Sequence, residues 1–133
     1  MKIVLFGFMT FILVDVLIVI YVIYKHSRKK LPLKVVEEIQ SSWKRIIRQK
    51  DQRHSIMDAD KLLDYALFQY GMKGSLGAKL KKSTNRFKDI NAVWAAHKVR
   101  NNIAHQINYK VTEKVYKKAM MSFKQAFKDL KIF

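Results

Sequence analysis

From residue 3 to residue 24 the chain reads IVLFGFMTFILVDVLIVIYVIY, an apolar run interrupted by one charge, Asp15. A helix rising about 1.5 Å per residue covers roughly 33 Å over that length, against a hydrocarbon layer about 30 Å thick. The run therefore predicts a membrane-spanning helix. It exceeds the apolar core of a cleavable signal and ends in YVIYKHSRKK, without the small residues of a processing site.

After Pro32 the apolar positions change to three- and four-residue spacing. Val35, Val36, Ile39, Trp43, Ile46 and Ile47 predict an amphipathic helix over 33–50, which the segment KDQRHS ends. A second helix is expected from near Ser55 to Tyr70, burying Ile56, Ala59, Leu62, Leu63, Ala66, Leu67 and Tyr70, with Gly71 as its stop. The stretch GMKGSLG makes 71–77 the principal loop, followed by a short helical turn over 78–82. A third helix over 87–108 is apolar around most of its circumference, through Ile90, Ala92, Val93, Trp94, Ala95, Ala96, Val99, Ile103, Ala104 and Ile107, and is expected at the centre. Thr112 can cap a last helix whose inward stripe is Val115, Tyr116, Ala119, Met120, Phe123, Phe127 and Leu130.

No alternating strand pattern interrupts this series. The expected fold is all-α: an N-terminal transmembrane helix followed by an antiparallel four-helix bundle. The boundaries are an anchor over 1–25, a basic juxtamembrane linker over 26–32 and the bundle over 33–133.

Charge adds a direction and a partner class. The formal net charge of +17 falls entirely on the part after the span, because Lys2 and Asp15 cancel. Lys25, Arg28, Lys29, Lys30 and Lys34 follow the span and only Lys2 precedes it, so the positive-inside bias places the bundle in the cytosol. Tyr21 and Tyr24 lie at that same end, where aromatic rings favour the headgroup layer. Such a basic chain suits an RNA or DNA backbone, whose binding weakens with salt, and also anionic lipid. An acidic calcium buffer is excluded. With no cysteine, so are disulfides, thiolate nucleophiles and cysteine zinc sites.

Asp15 costs on the order of 2.5 to 3.5 kcal/mol in mid-membrane. It is either tolerated as a neutral acid or joins spans in an oligomer.

The third helix carries the best candidate chemistry. His97, Asn101, His105 and Asn108 fall within about 80° of one another on an otherwise apolar helix. Beside them stands Arg100, in the string RNNIAH. An imidazole exchanges protons near neutrality, and a forked guanidinium holds phosphate oxygens. Together they can cleave RNA without a metal, Arg100 steadying charge at phosphorus, His105 moving a proton and Asn101 orienting the reacting groups. Arg100 and His105 lie about 140° apart on an ideal helix, so only the long Arg stem can bring the two heads together. A loose Arg-to-His spacing also occurs at Arg48 and His54, at a helix exit. The plainer reading is that these His and Asn residues satisfy one another and Arg100 pairs with an acid on a neighbouring helix.

RNNIAH, on the third of four predicted helices, resembles the motif of the HEPN domains: an Arg, a polar residue, a few further residues, then His. Arg100, Asn101 and His105 match it, with His97 and Asn102 in support. The resemblance covers about residues 33–131 and implies a small helical bundle. Many such domains are metal-independent endoribonucleases and others only bind RNA or nucleotides. The family's site usually forms where two motifs meet, which implies either a homodimer, here through the third helix, or a partner. The single span and the absence of a recognisable partner domain depart from the family's usual toxin arrangement.

Around the glycine loop, Lys73, Lys79, Lys81, Lys82, Arg86 and Lys88 form the expected phosphate-facing cluster, since glycines leave backbone amides accessible. No Walker loop is present. His26 and His54 lack partners at metal spacing, and His97 and His105 have no acid between them, so no metal or other cofactor is expected. Trp43, Trp94, Phe87, Phe123 and Phe127 sit at core spacing. The leading expectation is a membrane-anchored RNA-binding protein able to cut RNA. Its rivals are a noncatalytic adaptor holding RNA, ribosomes or anionic lipid, and a structural membrane oligomer in which Asp15 matters.

Overall fold

A computed structural model describes residues 1–27 and 30–133, with the side chains of 2–6 and 25–29 outside the description. The flanking cations Lys25, Arg28 and Lys29, and His26, therefore lie outside the described side chains. All regular structure among the described residues is helical: α1 (Lys2–Ser27), α2 (Leu33–Ile46), α3 (Gln52–Gln69), α4 (Leu76–Lys82), a 3-10 turn (Thr84–Arg86), α5 (Ile90–His105) and α6 (Glu113–Asp129). The chain divides into two compact units, Met1–Lys30 and Leu31–Phe133.

In the first unit the stretch Gly7–Tyr24 is long and apolar enough to cross a membrane, and none of it is buried. The helix runs to Ser27, two residues beyond the expected anchor.

In the second unit α3 is the hub, touching α2, α4, α5 and α6, while α5 and α6 also pack on each other. This corrects the expectation that the third long helix, α5, lies at the centre. Only Val93, Ala96 and Ile103 of α5 are buried, whereas α3 buries eight residues. The difference is physical: α5 is rich in alanine, which is indifferent to burial, and the helix ends before Ile107, which is fully exposed. All seven inward positions expected on α3 are buried. On α6, Ala119, Met120, Phe123, Phe127 and Leu130 are buried, and Val115 and Tyr116 are half-buried.

The helix ends differ where local capping decides them. Asp51, not Ser55, starts α3, its carboxylate accepting from the amides of Arg53 and His54. Ser55 is buried inside the helix and donates back to Asp51 O at 3.0 Å. The expected turn at 78–82 is a full helix beginning at Leu76, capped by Ser75. α2 ends at Ile46, where the backbone turns, and α5 begins at Ile90 with Asp89 as its cap. Leu31, assigned to the linker, is buried in the core and belongs to the bundle. At the other end the chain folds back: Ile132 is buried, and Phe133 closes an aromatic cluster with Trp43 and Phe127, at centroid distances of 6.2 and 6.0 Å.

Candidate functional site

The polar positions of α5 meet α3 at Asp60. Asp60 falls one turn from both Ile56 and Leu63, in register with the core, and is 3 % exposed. A carboxylate so placed must be paired. Its Oδ1 accepts from His97 Nδ1 at 2.8 Å, and its Oδ2 lies 3.3 Å from Arg100 Nε. The Nε–H is not aimed at that oxygen, so this second contact is an ion pair rather than a hydrogen bond.

Asn101 closes the arrangement. Its Oδ1 accepts from Arg100 Nη1 at 3.0 Å, which fixes the amide orientation, and its Nδ2 then faces His97 Nε2 at 3.3 Å. Hydrogen-bond logic assigns the neutral ring: the carboxylate only accepts, so the proton sits on Nδ1 and the Nε2 lone pair turns to Asn101. Asp60, His97, Asn101 and Arg100 thus form a closed ring of polar contacts. The Trp94 and His97 rings meet in a T-shaped arrangement at 5.9 Å, and a Cβ added at Gly77 would lie 3.3 Å from the indole Cη2.

The ring lines an open concavity of about 420 Å³, together with Lys61, Asp64, Ser75, Leu76 and Gly77. Below it Lys79, 4 % exposed, donates to Asp64 Oδ1 at 2.9 Å, with its ammonium 5.5 Å from the centre of the Phe68 ring.

The structure brings together His97, Arg100 and Asn101 of the expected site, but not His105. His105 is the last residue of α5, exposed, without a partner among the described residues, and it does not line the concavity. Arg100 is held at Asp60 on α3. Asn102 is engaged elsewhere, accepting from Gln106 at 3.3 Å.

Of the expected phosphate-facing cluster, Lys79 is corrected outright: it is a buried structural cation committed to Asp64. Arg86 lies over the Tyr70 ring at 4.7 Å. Burial pushes the Tyr70 hydroxyl above the usual phenol range against the opposing pull of Arg86. Lys73, Lys81, Lys82 and Lys88 are exposed, and none of the six lines the concavity; the cation that does, besides Arg100, is Lys61.

Sequence reasoning missed Asp60 and Asp64, although an acid in core register at 60 was a readable signal. Among the described residues no group of three or more His, Asp or Glu is arranged to hold a metal. No protein-family model, curated protein or solved structure matches the chain.

Proposed function

We propose that this chain is a membrane-anchored, HEPN-like RNA-binding protein, its bundle facing the cytosol, whose concavity on α3 and α5 performs metal-independent phosphodiester chemistry. The observation that carries this reading is the buried Asp60 holding His97 by Nδ1 beside Arg100. A carboxylate behind an imidazole fixes its tautomer and steadies the cation formed when the far nitrogen takes a proton. His97 rather than His105 is therefore the proton-moving group. In the reaction the substrate displaces the Asn101 amide from His97 Nε2, and the ribose 2′ oxygen attacks the adjacent phosphorus as it gives its proton to that nitrogen. The bond to the 5′ oxygen breaks and that oxygen takes a proton from water, leaving a 2′,3′-cyclic phosphate and a hydroxide that takes back the proton held by His97. Arg100, whose Nη2 has no partner among the described residues, stabilises charge at phosphorus, with Lys61 adding to the local field. A homodimer through α5 would set two such sites together, as the family resemblance implies.

The test is cleavage of RNA by the full chain in nanodiscs. Fragments ending in cyclic phosphate should form with chelator present, vanish in His97→Ala and persist in His105→Ala. Retained cleavage by folded His97→Ala would falsify the assignment.

One observation favours a second, noncatalytic reading: Asp60 already partly neutralises Arg100, as in a structural network. Under that reading RNA binds through the +17 surface without being cut, and binding weakens steeply with salt.

A further inference from the structure

The outer face of α2 is a separate feature. Glu37, Gln40, Ser41, Lys44, Arg45 and Arg48 line a shallow depression of about 520 Å³. These positions recur every three or four residues and lie opposite the buried stripe of Ile39, Trp43 and Ile46, so the basic side chains project away from the core. Lys44, Arg45 and Arg48 are exposed, and none has an acidic partner among the described residues. Arg45 donates only to Ser42 Oγ at 3.3 Å.

Two large apolar side chains flank the cations. Leu33, in the first turn of α2, is 72 % exposed and Ile47, just past its end, is 50 % exposed. Cations backed by exposed aliphatic groups on one face of a helix match a bilayer surface, where the charges meet headgroups and the apolar side chains enter the acyl boundary. RNA offers no counterpart for Leu33 and Ile47. Chain order also favours lipid: only a few residues of sequence separate the apolar segment from the start of α2.

We infer that the outer face of α2 is a docking surface for anionic lipid headgroups, with Lys44, Arg45 and Arg48 engaging lipid phosphates and Leu33 and Ile47 seating the helix. This is independent of the chemistry on α3 and α5.

The absence of cysteine makes the test direct. The full chain carrying Ser41→Cys and an environment-sensitive fluorophore is placed in nanodiscs of phosphatidylcholine, with or without phosphatidylglycerol, containing headgroup-linked nitroxide quencher. A label at Gln125→Cys, exposed on α6, serves as control. Quenching at position 41 should rise with phosphatidylglycerol and fall with salt, while position 125 responds less. Combined Lys44→Glu, Arg45→Glu and Arg48→Glu should lower the bound-to-free ratio on the order of a hundredfold. Leu33→Ser with Ile47→Ser should reduce it by a smaller factor. All five positions are exposed, and unchanged far-ultraviolet circular dichroism checks the fold. Equal quenching in neutral and anionic discs, or no response to charge reversal, overturns the inference. So does a label that ignores lipid but responds to added oligonucleotide, which assigns the face to RNA.

Discussion

Asp60 Oδ1 lies 2.8 Å from His97 Nδ1, joining the hub helix α3 to α5 through a buried polar contact. The same carboxylate faces Arg100 through its other oxygen, so one acid serves two basic side chains. Replacing it by Asn keeps the shape but removes the charge that compensates Arg100.

Asp60→Asn should accordingly cost about 2 to 3 kcal/mol of stability, since removing one partner strands the other in a low-dielectric setting. Urea unfolding of wild type, Asp60→Asn, His97→Ala and the double variant measures it. The two single effects should fail to add by roughly 0.5 kcal/mol or more. Strict additivity would show that the contact contributes nothing.

Lys79 separates structural from surface lysines. Lys79→Ala removes a buried stem and leaves Asp64 without its cation, so a loss of about 2 kcal/mol is expected in the same measurement. Lys73→Ala, Lys81→Ala and Lys82→Ala should each stay within about 0.5 kcal/mol of wild type. The RNA binding proposed above should show the reverse order, the exposed lysines lowering its salt slope and Lys79 leaving it unchanged.

Lys131 has φ 61°, the left-handed conformation that favours glycine, directly after α6. There Ile132 N donates to Phe127 O at 3.0 Å and Lys131 N to Lys128 O at 2.9 Å, closing the helix end. Lys131→Gly should raise stability by about 0.5 to 1 kcal/mol, because the strain exceeds the extra unfolded-state entropy. A shift of the urea midpoint to higher concentration at constant slope is the expected result.

Asp51 gives the bundle a pH-dependent contribution. Its hydrogen bond with the His54 side chain, and then the backbone amides it caps, hold its carboxyl below the usual Asp range. A depressed carboxylate stabilises the fold above the unfolded value, and that stability is lost as pH falls through the folded value. Wild type should therefore exceed Asp51→Ala in urea midpoint at neutral pH, and the gap should close in acid. A gap independent of pH would assign the effect to packing.

The sequence was most legible where bulky side chains repeat at helical spacing. Ile56, Leu63 and Leu67 on α3, and Phe123 and Phe127 on α6, leave one packing face, and each is fully buried. Legibility failed on α5, where Ala95 and Ala104 counted as apolar yet face solvent, and at Ile47, which lies past the end of α2. On the site, the polar strip of His97, Asn101, His105 and Asn108 was visible, with Arg100 beside it. Asp60 was legible only as an acid in core register, not as the partner of His97 and Arg100, because it lies 37 positions before His97 and only the packing of α3 on α5 brings them together. The same packing separates Arg100 from His105, which spacing alone left open.

Since α3 contributes both Ile56, Leu63 and Leu67 to the interior and Asp60 and Asp64 to the concavity, no fraying end or mobile loop carries the carboxylates. Their amides should be among the last to exchange with deuterated solvent. Heating should therefore abolish the polar constellation in the same cooperative event that melts the bundle, with no intermediate that keeps the helices while losing the cleft.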